Sequence, residues 1–322
     1  MRRRASILVA LCGIAALLGG CVLGHDVSTD EPVELRCRPV MSPGMRGTQT
    51  TGQMSSGFDQ LFPTETNIGL WAYSLPRDKQ WEIFSPDAEQ FLSEATFTHN
   101  EQDGLWYPAS RVEWKYANSL TILAYAPREQ AVALDQKRGL VVEDYNTEEK
   151  HNIDLMYTDF LADLHCENNR QGVYLPFYHA LAAVDVKIAT TLTIDSSVVI
   201  RGIYLEQIAV EGDFFSHPDP VWYPAEEKQT ITLYTNETEG WALPQNNGEI
   251  VAGSTRYLIP QSGATRIVVV ADVMQGGMIT PEQRFVTDDV VFFWEPGRHY
   301  TYSLNITTKS LQIEEPNPEE HK

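Results

Sequence analysis

Apolar and polar residues alternate one by one along much of this chain, and no other feature narrows the possible folds as far. Val184, Val186, Ile188, Leu192 and Ile194 alternate with Asp185, Lys187, Thr191, Thr193 and Asp195. Tyr300, Tyr302, Leu304 and Ile306 alternate with Thr301, Ser303, Asn305 and Thr307. Val112, Trp114 and Tyr116 alternate with Glu113 and Lys115. Leu120, Ile122 and Ala124 alternate with Thr121, Leu123 and Tyr125 before Pro127 ends the run. A period of two puts successive side chains on opposite faces of a strand, one face in the core and one in water. Ile267 to Ala271 is instead continuously apolar, as in a strand buried on both faces.

Helical signals are scarce. The stretch from Pro127 to Arg138, closed by Gly139, predicts one short helix with a glycine cap. Ser85-Pro86 predicts a short turn. Asn118-Ser119, Glu211-Gly212, Asn247-Gly248, Gln275-Gly276-Gly277 and Pro296-Gly297 fall between strand candidates and read as turns. Strands in this spacing, without helices between them, predict an all-β chain of antiparallel sandwiches. The polar run Asn168-Asn169-Arg170-Gln171-Gly172 marks the expected domain boundary. Residues 22 to 57 are irregular and rich in Gly, Pro, Ser and Thr, with Val33, Leu35 and Val40 offering one strand.

The N-terminus reads as an export signal. Arg2-Arg3-Arg4 precedes an apolar stretch from Ile7 to Leu18, and Leu18-Gly19-Gly20-Cys21 follows the pattern of a bacterial lipoprotein signal, with Cys21 as the lipidation site. The apolar stretch is short for a membrane span. Stable anchoring on lipid takes more than one acyl chain. The formal charge is -20 over 322 residues; without the three signal arginines, 21 basic residues face 44 acidic ones, a charge of -23. Such a surface repels nucleic acid, so no nucleic-acid partner is expected. Cys12 leaves with the signal, and Cys37 and Cys166 remain. An oxidising compartment permits a bond between them, but two cysteines define no framework.

Catalytic patterns are missing: there is no Gly-x-Ser-x-Gly elbow, no His-Glu-x-x-His and no phosphate-cradling glycine loop. The acid pairs Glu143-Asp144, Glu148-Glu149, Glu226-Glu227 and Asp288-Asp289 are sequence neighbours, which point to opposite faces of a strand and make no dyad. His165-Cys166 has no second ligand pair at zinc spacing. His179 sits in an apolar stretch and reads as a packed, hydrogen-bonded core histidine. Trp71, Trp106 and Trp114 read as core, while Trp81, Trp222 and Trp241 read as loop anchors or as platforms for sugar rings or protein. The chain is expected to be no enzyme and to carry no cofactor and no metal.

Several stretches together resemble the fimbrillins, the subunits of type V pili and related surface lipoproteins (Mfa-like). Leu175 to Ile188 resembles the phenylalanine-x-histidine-alanine-leucine signature that opens their second domain. Trp106-Tyr107-Pro108 and Leu120 to Pro127 resemble their tryptophan-proline and aromatic-alanine-tyrosine-x-proline segment. Asp154 to Tyr157, Tyr257 to Gln261 and Trp294 to Thr307 are similar to three further family elements, in family order. The resemblance implies two tandem Greek-key, transthyretin-like sandwich domains. It also implies export as a lipoprotein to the outer membrane, cleavage of the leader after an arginine, and filling of the vacated groove by a strand from another subunit. The family's strand addition joins main-chain hydrogen bonds to pockets for alternate side chains.

On that basis Arg46-Gly47 is the candidate cut site, with Arg36 and Arg38 as alternatives, and Val33, Leu35 and Val40 belong to the strand removed. At the other end only Leu311 and Ile313 alternate before the Glu- and Pro-rich segment from Glu314 to Lys322, so they make a weak donor strand. A chain that accepts a strand and barely donates one ends a polymer. The expectation is therefore a minor or tip-like pilus subunit at the outer membrane and fimbrium, partnered by other fimbrial subunits through strand complementation. The alternative is a non-polymerising surface lipoprotein that binds glycan or host protein. The expected organisation is a signal peptide over 1–20, a leader over 21–57, sandwiches over 58–171 and 172–313, and a flexible acidic tail over 314–322.

Overall fold

The computed structural model describes residues 31–42, 60–82, 85–149, 152–191, 196–236, 238–243, 249–251, 254–307, 310–314, 316 and 318–320. Strands dominate. The first half holds β1 (Val33–Glu34), β2 (Cys37–Met41), β3 (Gln60–Leu61), β4 (Ile68–Pro76), β5 (Glu89–Asn100), β6 (Leu105–Pro108), β7 (Glu113–Trp114), β8 (Asn118–Ala126), β9 (Ala133–Asp135), β10 (Gly139–Asn146), β11 (Met156–Tyr157), β12 (Leu161–Leu164) and β13 (Val173–His179). The second holds β14 (Ala182–Thr190), β15 (Ser196–Ile208), β16 (Glu211–Phe215), β17 (Val221–Pro224), β18 (Gln229–Thr235), β19 (Trp241–Ala242), β20 (Glu249–Ile250), β21 (Arg256–Leu258), β22 (Ser262–Thr265), β23 (Ile267–Gln275), β24 (Met278–Val286), β25 (Val290–Phe293), β26 (Arg298–Ile306), β27 (Leu311–Glu314) and β28 (Glu319–Glu320). The one helical turn among the described residues is a 3-10 turn at Cys166–Asn169.

The first unit is a sheet wrapped around its own core. Strands pair in the order β13-β2-β6-β5-β4-β8, and β11 bridges β8 back to β13, so the ladder returns to its start. Alternate residues of β8 and β4, such as Leu120, Ile122, Ala124, Ile68 and Leu70, face a core that also takes Phe97, Trp106, Trp114 and Phe177. The second unit stacks β20-β14-β26-β27 against β18-β15-β23-β24 over a core of Val184, Val186, Ile188, Ile200, Ile203, Val269 and Tyr302. Gly276 and Gly277 lie at φ 57° and 79° between β23 and β24, the geometry a two-residue hairpin needs and side chains resist.

One sequence expectation changes. No helix forms from Pro127 to Arg138; β9 and β10 make a hairpin there, with Gly139 at φ 70° opposite Asp135. Val132 is buried against Trp71 and Leu140 in the same core, and that tertiary packing overrides local helix propensity. Past the polar run at 168–172, β13 still pairs with β2 and β11 in the first sheet. The chain crosses to the second unit at Ala180-Leu181.

The units are joined by more than a linker. Strand β10 of the first pairs with β16 of the second, and β9 and β17 extend that sheet on either side. A third core fills the junction: Trp71, Tyr125, Tyr145 and Tyr157 from one half meet Phe214, Trp222 and Ile259 from the other. Trp222 packs 5.1 Å from Phe214 and 5.6 Å from Tyr145, and its Nε1 donates to the Ala180 carbonyl at 2.6 Å. Replacing Trp222 with Ala removes a large buried ring and strands that carbonyl. We expect it to cost about 3–5 kcal/mol in urea unfolding, with Trp222→Phe costing less.

Candidate functional site

The segment from Val33 to Ser42, expected from the sequence to supply the leader strand, occupies a slot in the first unit. Strand β2 runs parallel to β13 from Cys37↔Val173 to Met41↔Phe177, meets β6 at Cys37↔Trp106, and pairs with β3 at Val40↔Leu61. Before it, β1 pairs with β7, and the Leu35 N–H donates to the Val112 carbonyl at 2.8 Å. After it, the Ser42 N–H donates to the Phe177 carbonyl at 2.7 Å. Ten residues, from Val33 to Ser42, are thus tied to four other strands.

The period-two rule explains why this segment fits. Val33, Leu35, Cys37 and Met41 all point into the first core, with exposures of 8%, 1%, 0% and 5%. Pro39, at the same phase, is also buried, while Arg38 faces solvent. Burying a large apolar side chain contributes about 1.5–3 kcal/mol. Together these side chains rival the net stability of a small domain, about 5–15 kcal/mol. An unfilled slot would therefore expose an apolar trough and two rows of unpaired backbone groups.

A polar clamp holds the strand's start. Arg36 Nη2 donates to the Arg170 carbonyl at 2.6 Å, and Nη1 donates to the Tyr107 hydroxyl at 3.2 Å. Tyr107 in turn donates to Asp103 Oδ2 at 2.6 Å. That hydrogen bond, most of all, holds the Asp103 carboxyl below its ordinary value and lifts the Tyr107 hydroxyl above its own. Arg170 closes the 3-10 turn that leads into β13, and the same turn carries Glu167, paired with Arg77 through both guanidinium nitrogens. The hydrogen bond from Arg77 lowers the Glu167 carboxyl to about 2.

The sequence-derived residues fall in three places. Val33 and Leu35 lie on the inward face of the leader strand. Val40 is buried but on the opposite phase, against Leu61 and Pro176 in register. Cys37 and Met41 do the inward packing that sequence reading missed; extending the Val33-Leu35 phase through residues 37, 39 and 41 was the available signal. Cys21, Arg46 and Gly47 lie outside the described residues. Of the alternative arginines, Arg36 is engaged by the clamp and Arg38 lies within the β2 ladder.

Leu311 and Ile313 are folded back on their own unit, as β27 against β26, with Leu311 6% exposed in the second core. The segment expected to be a solvated tail continues along the same partner: β28 pairs Glu319 with His299 and Glu320 with Arg298.

Cys37 and Cys166 are both free and buried. Burial pushes both thiols upward, far so for Cys37. His179 is the core histidine expected, its Nδ1 2.6 Å from Asp154 Oδ2. Among the described residues, no group of three or more His, Cys, Asp or Glu side chains is placed to hold a metal, and no helix is long and apolar enough to cross a membrane.

Residues 50–317 match the family model described as fimbrillin-like. The chain belongs to that family. No curated protein matches it. Among solved structures, this fimbrillin-like chain is similar to a fimbrial protein of Bacteroides vulgatus, at 15% identity and a TM-score of 0.55 over 89% of this chain and 99% of that one. It is similar to a candidate cell adhesion protein of Bacteroides uniformis, at 14% identity and a TM-score of 0.57 over 90% and 99%. A candidate cell adhesion protein of Bacteroides ovatus matches at 14% identity and a TM-score of 0.53 over 91% and 98%. At such identities the likeness concerns the fold.

Two expected outcomes follow from this geometry. In the folded, leader-bearing protein both buried thiols should resist iodoacetamide, and both should react once the protein is unfolded in urea; rapid labelling of Cys37 in the native state would contradict the buried placement of β2. The depressed Glu167 carboxyl stabilises the fold above its ordinary value of 4.5 and loses that contribution as pH falls from there toward about 2. Acid unfolding of Arg77→Met should lack this component while the parent shows it.

Proposed function

We propose that this protein is a fimbrial subunit, minor or tip-like, exported as a lipoprotein through Cys21 and assembled by strand exchange after its leader is cut away. The observation that carries this reading is the place of β2. It lies inside a ladder, with neighbours on both sides, and with Val33 and Leu35 just ahead of it places four side chains in the core, yet it comes from an N-terminal segment joined to the domain body only through residues 43–59. A cut at Arg46-Gly47 falls within that join and leaves β2 held by non-covalent contacts alone. Arg36 and Arg38 are poorer candidates, because a protease needs an extended backbone free of a ladder.

Family membership and fimbrial neighbours support assembly with other subunits at the cell surface. The absence of catalytic motifs supports a structural, non-enzymatic role. The short cis pairing of Leu311 and Ile313 supports the minor or tip-like assignment: two apolar side chains fill few of the pockets that Val33, Leu35, Cys37, Pro39 and Met41 occupy. Mass spectrometry of the mature N-terminus on cells tests this. A chain that begins at Gly47 is the expected result. A population that begins only at acylated Cys21 would refute leader removal and favour a tethered lipoprotein that binds glycan or host protein.

A further inference from the structure

A second unfilled backbone edge lies far along the sequence from the leader slot. Strands β22 and β25 form a two-stranded ribbon in the second unit, and among the described residues no strand pairs with the other side of β25. The register decides which groups face that side. The Trp294 N–H donates to the Gln261 carbonyl at 2.8 Å, so that pair is hydrogen-bonded across the ribbon. In an antiparallel pair such positions alternate. Phe292 and Val290 therefore bond to β22, and Val291 and Phe293 turn their N–H and C=O groups outward.

The side chains of the same two residues are also uncovered. Val291 is 84% exposed and Phe293 65%, among the most exposed large apolar residues described. The strand behind them is firmly seated: Phe292 and Trp294 are buried, their rings 4.2 Å apart, and Trp294 Nε1 donates to the Tyr302 hydroxyl at 3.0 Å. Beside Phe293 opens a groove of about 580 Å3, walled by Pro220, Val221, Pro224 and Pro260, with Lys228 also in its lining. Natural edges of this kind are normally blunted by proline, charge or a bulge. Strand β24 shows that protection in Pro281 and in Glu282 at φ 51°, and β17 is bracketed by Pro220 and Pro224. Strand β25, Val-Val-Phe-Phe, carries none within it.

Charge at the ends of β25 says what fits. Asp288 and Asp289 precede it and Glu295 follows it; the first two are exposed, with Arg266 3.8 Å from Asp289. We propose that the open edge of β25 accepts an extended segment of another protein, apolar at alternate positions and basic at both ends. Main-chain bonds to Val291 and Phe293 give the affinity, the groove beside Phe293 takes one side chain, and the flanking acids select lysine or arginine at the ends. A second copy is the wrong partner, since two chains of net charge -20 repel.

The test uses the full chain with its leader in place, so its outcome is independent of strand exchange. The probe is a synthetic nonapeptide with valine at alternate positions, threonine between them and two lysines at each end. We expect saturable binding, slowed amide exchange at Val291 and Phe293, and weaker binding of the same peptide ended with glutamates. Val291→Pro removes an outward N–H without touching the bonds to β22, and should weaken binding about tenfold or more. Phe293→Lys, at an exposed position, should do the same and guards against a folding defect in the proline variant. No saturable binding, undiminished binding to both variants, or protection confined to other strands would overturn the proposal. So would a dimer of the free protein that Val291→Pro dissolves, which would assign the edge to a second copy.

Discussion

Between β13 and β6 the first sheet has room for one strand, and the chain fills it with residues drawn from ahead of the domain body. The closure of the first sheet depends on that occupancy. The ladder from β11 round to β8 is continuous only with β2 in place, and Leu35, Cys37 and Met41 complete the core around Phe62, Trp106 and Phe177. Such a slot combines two costs when vacant, exposed apolar surface and unpaired backbone, and each is of the order of kilocalories. It favours refilling over remaining open. The proposed strand replacement would then follow from the fold's construction and need no separate binding site.

The two halves of the molecule are tied by a shared sheet and a shared aromatic core, so the slot sits in a body that extends beyond the first unit. β10 and β16 carry the main-chain link, and Tyr145, Tyr157, Phe214 and Trp222 carry the packing. At the other terminus, β27 and β28 cover most of the length of β26, which closes an edge that would otherwise invite pairing. The chain thus protects one edge with its own C-terminus, another with its leader, and others with proline and backbone kinks. Among the described residues, the ribbon strand β25 is an edge that none of these devices covers.

Much of this was legible in the residue order. The alternation in β8, β14 and β26 marked strands whose inward faces are the ones in the cores, and the apolar run Ile267–Ala271 became the central strand β23. What the sequence hid were decisions made by distant neighbours. The stretch from Pro127 to Arg138 has a helix-like composition and forms a hairpin because Val132 has a core to enter. The polar run near residue 171 looked like a linker, but it ends at a strand that β2 needs as its partner. Cys37 drew attention as a redox group, which obscured its role as a small apolar knob on the leader strand. The acidic tail looked solvated because backbone pairing leaves no mark in composition.

The central claim is that the leader strand is a removable but necessary part of the first unit's core. It is tested most directly by comparing the full-length protein with a form lacking residues 31–42, by thermal unfolding and by binding of a dye that reports exposed apolar surface. A synthetic peptide of residues 31–42 is then added in trans. The account predicts that the shortened form melts lower and binds the dye, and that the peptide reverses both changes. A shortened form that melts like the full-length protein, stays dark to the dye and ignores the peptide would contradict it.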